Sequence, residues 1–339
     1  MIPAPVLPGP ALSDPTTALM VARAVYMRRW SLLLPAVVPF VVISAWLRVA
    51  AGELPFANAL ILTVLACYLV AWCVGKVVTL RWTRGRGRLA VEPWQPVAAV
   101  VLRRATGLRR TVLDMGLGRQ VAVRLPAGHE ETVVRTGRAW LVAGPRVLMV
   151  RADGSHRVFA ANATELVAAA AVEPVDADPF TPAVLAARAM RRSTALLVSV
   201  AASWSAAYVL IWWEIGRPWY APVLTATPLV LIWMAPLLMV ALPAWRAVAR
   251  PASGPWTWVS AVMDPWKAHT DAPTRASGKA TLADGARLVV KLPAAPADFL
   301  GAVWETGGFW VAGTPEPGRV LAAGFPHAPL AAAVRFRPL

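Results

Sequence analysis

The stretch RQVAVRLPA at residues 119–127 has an echo, ARLVVKLPA, at residues 286–294 of the same chain. A second echo follows each of them, because AWLVAGP at residues 139–145 resembles FWVAGTP at residues 309–315. Apolar side chains that alternate with polar ones are typical of β-strands. The repetition predicts an internal duplication in which each copy contains a small β domain.

The repeat extends beyond these strands in both directions. Asp14-Pro15 precedes the first copy and Asp178-Pro179 precedes the second, each shortly before a predicted helix. Pro93-Trp94 and Pro255-Trp256 recur at the start of the two β domains. The duplicated unit is therefore longer than the β domain alone.

Within each copy, the pattern predicts three strands, a short helix and two or three further strands. The strands predicted in the first copy are 97–103, 109–115, 120–125, 139–143, 147–150 and 157–159, with a helix near 128–135. Those predicted in the second copy are 288–292, 309–312 and 320–323, with a helix near 297–305. Residues 264–277 are expected to form a distorted loop. This order suits a small OB-like or SH3-like barrel.

Four long apolar stretches interrupt this pattern and point to a membrane. Only 15% of the 339 residues are charged, against about 25% in a soluble domain. The uncharged stretches are residues 30–47, 54–75, 193–213 and 218–245. A bilayer is crossed by roughly 20 apolar residues. The sequence thus predicts a membrane α+β protein with four transmembrane helices in two hairpins, each hairpin followed by a cytoplasmic barrel.

The expected organisation has six parts. They are an N-terminal tail and helix at 1–29, a hairpin at 30–80, a β domain at 89–170, a connecting helix at 178–192, a second hairpin at 193–245 and a second β domain at 256–336. Glu53 and Glu214 lie at the two hairpin bends.

The distribution of cations predicts an orientation. Of the 34 Lys and Arg residues, 32 fall on one side of the four stretches, which the positive-inside rule places in the cytoplasm together with both termini. A multi-pass protein of the bacterial plasma membrane is the resulting expectation. Arginines at the seams are predicted to contact anionic lipid headgroups. They are Arg28, Arg29, Arg81, Arg84, Arg86, Arg88, Arg191, Arg192, Arg246 and Arg250.

The excess of arginine over lysine, 30 to 4, and the abundance of alanine resemble uncharacterised multi-pass membrane proteins of high-GC bacteria. A β-barrel after membrane helices is also similar to the NfeD type of membrane-anchored OB-domain protein. This resemblance implies an architecture, and it assigns no role to any residue.

Small residues in the third stretch are spaced for close helix packing. Ala195, Ser199, Ser203 and Ala207 recur every four residues, and such spacing lets helices approach closely. Prolines in the first and fourth stretches either kink helices or open a substrate site. They are Pro35, Pro39, Pro228 and Pro236.

Residues that would indicate catalysis or metal binding are sparse. His129, His156, His269 and His327 lack zinc-site spacing and look unmatched between the copies, with His156 expected at the surface. Asp176-x-Asp178 fits an acidic helix start better than a metal site. Neither a nucleophile motif nor a phosphate-binding loop occurs. We therefore predict no cofactor, no metal and no enzymatic activity.

Three functions remain open at this stage. The preferred hypothesis is a non-enzymatic scaffold or regulatory protein whose β domains bind a partner or each other. The alternative is a transporter or channel-like component built on a pseudo-twofold bundle of four helices. Nucleic-acid binding by the OB-like domains is a weaker alternative, because residues 89–179 carry a net charge of only +2 despite the +16 of the whole chain.

Overall fold

The computed structural model describes residues 9–22, 46–47, 49–52, 87–106, 109–116, 118–143, 148–189, 255–266 and 274–339. The chain forms two compact units. One comprises Met1–Ala24, Arg81–Arg192 and Val240–Leu339, and the other comprises Val25–Leu80 and Ser193–Met239. In the second unit only residues 46–47 and 49–52 are described, with helical backbone up to residue 50 and a turn at 51–52.

The first β domain is an antiparallel sheet whose two edges belong to the same stretch of chain. Its strands are β1 (Gln95–Ala98), β2 (Val100–Arg103), β3 (Thr111–Asp114), β4 (Gln120–Val123), β5 (Arg138–Val142), β6 (Leu148–Ala152) and β7 (Val158–Ala163). They lie in the order β1-β5-β6-β7-β4-β3-β2. Because only Ala99 separates β1 from β2, these two strands together form one long strand that pairs at both edges of the sheet. The curled sheet therefore has six strand positions.

The second β domain is a closed barrel with the same cyclic order. Its strands are β8 (Trp256–Met263), β9 (Thr274–Thr281), β10 (Arg287–Ala295), β11 (Gly308–Ala312), β12 (Val320–Gly324) and β13 (Ala331–Pro338). They close in the order β10-β13-β12-β11-β8-β9, and each pairing between them is antiparallel. β8 thus corresponds to β1 and β2 together, and each domain has one strand more than an OB-fold.

A helix follows the third strand position in each domain. α2 spans Ala127–Thr136 and α4 spans Ala297–Thr306. Each begins after a proline, Pro126 or Pro296, and ends at a glycine in the left-handed region, Gly137 or Gly307. Glycine adopts that conformation without the steric cost of a Cβ, which explains the helix ends. Two more helices precede the domains, α1 at residues 15–22 and α3 at residues 181–189.

Alternation along the strands builds a separate core in each domain. Leu113, Val123 and Val150 lie in the first core, and Phe299 and Phe336 lie in the second. The apolar face of α4 covers one end of this second core through Phe299, Leu300 and Val303. Each β domain therefore has an apolar core of its own.

The expectation of a four-helix transmembrane protein in the plasma membrane is corrected. Among the residues that the structure describes, no helix is long and apolar enough to cross a membrane. The helices α2 and α4 have ten residues each, whereas a span needs roughly 20 apolar residues, and most of the buried residues of α2 are polar. The described architecture is mainly β. The four predicted spans lie outside the described residues, apart from Trp46 and Leu47.

The prediction of a distorted loop at residues 264–277 is also wrong in part. Residues 274–277 belong to β9, an eight-residue strand that pairs with β8 and β10. Its sequence, TRASGKAT, has threonine only at its two ends and contains none of the valine, isoleucine or aromatic residues that mark strands. Gly278 permits a close approach, because a Cβ there would lie 2.4 Å from the Val262 carbonyl oxygen. Residues 267–273 lie outside the described residues.

Candidate functional site

A buried cluster of charged side chains surrounds Asp14, the residue before α1. Its Oδ1 accepts hydrogen bonds from the backbone N–H groups of Thr16 (3.0 Å) and Thr17 (3.3 Å). This arrangement is an N-cap, which satisfies donors that a helix start leaves free. The N-cap uses one carboxylate oxygen and leaves the other for distant parts of the chain.

Asp14 Oδ2 is the meeting point of three donors. It accepts from Thr17 Oγ1 at 2.7 Å and from Arg151 Nη1 at 3.2 Å, and it lies 2.8 Å from His156 Nδ1. Arg151 projects from β6, is 1% exposed, and donates through Nε to the carbonyl of Ser155. A fully buried guanidinium requires a compensating anion, and Asp14 supplies it.

His156 connects this cluster to the second β domain. It lies in the turn between β6 and β7, is 2% exposed, and faces Asp14 through Nδ1. Its Nε2 lies 3.6 Å from Oε2 of Glu305, which belongs to α4 and whose side chain is 30% exposed. The imidazole therefore stands between two carboxylates, with the guanidinium of Arg151 as the opposing charge.

The charges of the cluster are set by these contacts. Burial lowers the pKa of His156, but the hydrogen bond to Asp14 and the interaction with Glu305 outweigh it, so that the pKa is raised from 6.5. Burial raises the pKa of Asp14, but His156, Thr17 and Arg151 bring it well below its ordinary value. Asp14 and Glu305 thus favour the imidazolium form of His156.

Asp14, His156 and Glu305 are also the one group of the described residues with the composition of a metal site, since their ligand atoms lie within 4.8 Å of one another. The donor set fits a metal poorly. Arg151 contacts the same oxygen of Asp14 and would repel a divalent cation, and His156 Nδ1 faces that oxygen too. Two direct ligands remain, His156 Nε2 and Glu305. A proton on His156 Nε2, which faces Glu305 Oε2 at 3.6 Å, suits this site better than a metal ion.

Ser155 and His129 form a second buried pair beside the cluster. Ser155 Oγ lies 3.1 Å from His129 Nε2 and accepts from the Arg157 N–H. Burial, followed by the charge of Arg157, holds the pKa of His129 well below 6.5. In the described part of the chain His129 Nδ1 has no hydrogen-bond partner, and its ring meets Phe159 edge-on. Without a carboxylate on Nδ1 and without access for a substrate, the pair lacks the parts of a catalytic triad.

Acidic residues of α2 form a third network, and its contacts are structural. Glu131 accepts from Arg104 Nη2 and Arg135 Nε, both at 2.9 Å, and from the Val175 N–H. Glu130 accepts from the hydroxyl of Thr111 at 2.7 Å. This network fixes the coil after β7 against α2.

Asp176 and Asp178 lie at the start of α3, as the sequence indicated. Asp178 accepts from the Phe180 N–H, and Asp176 accepts from Thr181 Oγ1 and Arg135 Nη2. The hydrogen bond from Thr181, followed by that from Arg135, lowers the pKa of Asp176. The helix-start interpretation of this motif is confirmed by these bonds.

The helices that precede the two domains cross over to the opposite domain. A Cβ on Gly301 of α4 would lie 2.6 Å from Thr16 Oγ1, so α1 packs against the helix of the second domain. A Cβ on Gly128 of α2 would lie 2.6 Å from the Pro182 carbonyl oxygen and 3.0 Å from the Ala186 nitrogen, so α3 packs against the helix of the first domain.

Each of these helices also packs on the outside of the β domain that follows it. Val21 of α1 shares an apolar cluster with Trp94 and Trp140. At the start of α3, Phe180 stacks on Trp256 with ring centroids 4.0 Å apart and meets Trp310 edge-on. The two copies are therefore joined by reciprocal contacts, in which the helix that precedes each domain packs against the helix of the other domain.

Two sequence interpretations of the histidines are wrong. His156 is buried rather than at the surface, and it is matched, because His327 occupies the equivalent turn between β12 and β13. Each turn contacts the start of the preceding helix: His156 binds Asp14, and the His327 N–H donates to the Pro179 carbonyl at 2.6 Å. The repeated Asp-Pro pair was the signal that could have led to this site.

The other predicted site residues fall mostly outside the described residues. Of the ten arginines predicted to contact lipid, Arg88 alone is described, and it pairs with Glu92. The predicted packing residues Ala195, Ser199, Ser203 and Ala207, the four prolines, and Glu53 and Glu214 lie in undescribed segments. Those roles stay predictions.

Comparison with protein-family models, with curated proteins and with solved structures finds no match for this chain.

Proposed function

We propose that this chain is a non-enzymatic regulatory scaffold in which the two β domains bind each other and in which a proton on His156 adjusts that association. The reciprocal packing of α1 on α4 and of α3 on α2 supports this proposal above all else. It pairs two copies of one unit within a single chain, as a twofold interface pairs two subunits. The role of such a pair is to present two β domains in a fixed arrangement.

The chemistry at the junction makes the scaffold regulatory. His156 belongs to the first domain, and Glu305, which it faces at 3.6 Å, belongs to the second. Protonated His156 attracts Glu305, and neutral His156 loses this attraction. Histidine is the side chain whose charge changes most readily near neutral pH. A rise in pH therefore weakens one contact between the domains while each core stays intact.

The burial of the Ser155–His129 pair supports the non-enzymatic part of the proposal. It is the arrangement in the described residues that comes nearest to a nucleophile with a base, and it is sealed from solvent. Hydrolysis that disappears in a Ser155→Ala variant of the purified protein would contradict the non-enzymatic proposal.

The pairing can be tested by measuring a distance between the domains in the full chain. Cys67 and Cys73 are replaced by serine, and spin labels are attached at Arg138→Cys and Arg319→Cys, which are exposed positions in the first and second domain. Pulsed electron paramagnetic resonance at pH 6 is expected to give one narrow distance distribution. A broad distribution in the otherwise unchanged protein would overturn the pairing.

The regulation is tested with the same labels. Raising the pH through the raised pKa of His156 is expected to broaden the distribution, and Glu305→Gln is expected to broaden it already at pH 6. Glu316→Gln serves as the matched control, because Glu316 pairs with Arg319 only three residues away in its own domain. Arg319 must be intact in this control, so its label is attached at Arg287→Cys instead. The control is compared with the unchanged protein that carries the same two labels. A distribution that ignores both pH and Glu305→Gln would refute the role of His156.

A further inference from the structure

One side of the second barrel presents an array of cations to solvent. On β9, β10 and β13 the inward residues alternate with outward ones, and six outward residues are basic. We call this set the basic face; it consists of Arg275, Lys279, Arg287, Lys291, Arg335 and Arg337. The three strands are neighbours in the barrel, in the order β9-β10-β13. Neighbouring strands lie about 4.8 Å apart, and successive outward residues on one strand lie about 6.7 Å apart.

The register places cations directly beside one another. Lys291 on β10 lies opposite Arg335 on β13, and Val289 lies between Lys279 and Arg337 on its two neighbours. Like charges that lie opposite each other destabilise a sheet. In the described residues no ion pair engages any member of the basic face. The carboxylates that the structure describes in the adjoining loops have other partners: Asp264 accepts from Ser277 at 2.7 Å, Asp284 accepts from the Ala286 N–H at 2.9 Å, and Glu316 pairs with Arg319 at 3.1 Å.

The duplication shows that the barrel does not need these charges. In the first domain, the register puts uncharged residues at four of the five positions that can be matched. Val112, Gln120, Ala160 and Asn162 correspond to Lys279, Arg287, Arg335 and Arg337. Only Arg124 keeps the charge of its counterpart, Lys291. The same strand order therefore forms without the cations. Val112 and Gln120 are buried in the first domain, whereas their counterparts Lys279 and Arg287 are exposed, so the basic face is a surface that the second domain alone presents.

We propose that the basic face binds the phosphate backbone of double-stranded nucleic acid. The centre of a protein–protein interface is depleted of charged residues, whereas protein–DNA interfaces are strongly positive. Four of the six cations are arginines, whose planar guanidinium matches two oxygens of a phosphate. None of the outward residues on these three strands is aromatic, so the face offers no platform for the unstacked bases of a single strand. The outward residues of these three strands also include no leucine, phenylalanine or tryptophan that would enter a bilayer; the nearest exposed apolar side chain on a neighbouring strand is Val262 of β8, which lies opposite Lys279.

This mode of binding is independent of sequence. Contacts to phosphates position a protein on a duplex, and base edges in the grooves supply the specificity. The low net charge of residues 89–179 argued against nucleic acid in the first domain, and the basic face belongs to the second. The proposal therefore concerns one half of the duplication only.

The test measures the affinity of the full chain for a fluorescent duplex by anisotropy over a range of salt concentrations. For a duplex, the slope of log K against log salt changes by about 0.9 for each cation that neutralises a phosphate. Lys291→Gln with Arg335→Gln is expected to weaken binding of every sequence equally and to lower the slope by about 2. A second variant, Lys279→Gln with Arg337→Gln, is expected to have the same effect.

The matched control is Arg124→Gln, because Arg124 is the exposed counterpart of Lys291 in the first domain. Its affinity and slope are expected to equal those of the unchanged protein. Circular dichroism of each variant verifies that the barrel is folded. The proposal is overturned if the double variants bind DNA with unchanged slope, if Arg124→Gln weakens binding as much as they do, or if the protein binds phosphatidylserine vesicles or a polyglutamate peptide through this face but no duplex.

Discussion

Thr16 occupies the space that a side chain on Gly301 would need. A Cβ at Gly301 would lie 2.6 Å from Thr16 Oγ1 and 2.7 Å from Thr16 Cγ2. The two residues belong to opposite copies of the duplication, and Gly128 stands in the same relation to Pro182 and Ala186. The exchange of helices therefore depends on two glycines that permit close approach. A larger residue at either position is therefore expected to disturb this packing.

Gly301→Ala and Gly128→Ala are expected to destabilise the protein. Glycine inside a helix is ordinarily less favourable than alanine by about 0.5–1 kcal/mol, so propensity alone predicts stabilisation. At these two positions the added Cβ meets packed atoms, and overpacking costs about 1–3 kcal/mol. Urea unfolding of the full chain measures the difference. Gly87→Ala is the control, because Gly87 is helical and a Cβ there would meet nothing within 4 Å. A more stable Gly301→Ala protein would refute the close packing.

Asp14→Asn is expected to lower the free energy of unfolding by about 3–5 kcal/mol, because it leaves the buried guanidinium of Arg151 without an anion. Asparagine is also a good N-cap, so the start of α1 is preserved and the loss reports the charge. Asp178→Asn, at the exposed counterpart in the second copy, is expected to cost less than about 1 kcal/mol. Chemical unfolding provides the comparison.

A second substitution separates the charge from other effects of Asp14→Asn. Arg151→Met in the Asp14→Asn background removes the unpaired cation and is expected to recover much of the lost stability. If the double variant is no more stable than Asp14→Asn, the ion pair with Arg151 is not the reason for the loss.

The stability of the protein is expected to fall as the pH rises above about 6.5, through the contribution of His156. Its pKa in the folded protein is raised from 6.5 by Asp14 and Glu305 against the effect of burial. A group whose folded pKa is raised contributes stability that is fully present below the unfolded pKa and is lost as the pH passes the folded pKa. The free energy of unfolding, measured from pH 5 to 9, should decline more steeply in the unchanged protein than in His156→Gln.

His129 is expected to affect the pH dependence of stability in the opposite direction to His156, so the two residues can be compared. Burial holds its folded pKa well below 6.5, so the unfolded chain binds a proton that the folded protein does not. Its contribution makes stability fall as the pH drops below about 6.5. His129→Gln should flatten the acidic side of the profile, and His156→Gln the neutral side. Identical profiles for the two variants would contradict the assigned pKa directions.

Glu305→Gln is expected to lower the pKa of His156, because it removes one of the two carboxylates that favour the imidazolium. Proton NMR of the His156 ring in the full chain measures the titration directly. Glu316→Gln is the control, since Glu316 pairs with Arg319 and does not face the imidazole. An unchanged His156 titration in Glu305→Gln would exclude an electrostatic link between the two domains at this point.

Strand positions and the duplication could be predicted because their signals are local. The alternation in RQVAVRL and ARLVVKL matches β4 and β10, and the glycines after Thr136 and Thr306 end α2 and α4 in the left-handed region. β9 escaped prediction because its small residues follow no apolar alternation. The expectation of a membrane protein followed from composition, and it gave way to a mainly β architecture in the part of the chain that the structure describes.

The site around Asp14 could not be predicted in the same way. Asp14 and His156 are 142 residues apart in sequence, and neither residue type nor spacing relates them. By itself the sequence determined that two similar units exist and where the strands of the first copy, the middle strands of the second copy and the helices α2 and α4 lie, because backbone propensity and side-chain periodicity act over a few neighbouring residues. The strands β8, β9 and β13 were not predicted. Only the tertiary structure decided that α1 and α3 cross to the opposite domain and bring Asp14, Arg151, His156 and Glu305 together, because burial of apolar faces and pairing of buried charges depend on which distant surfaces meet.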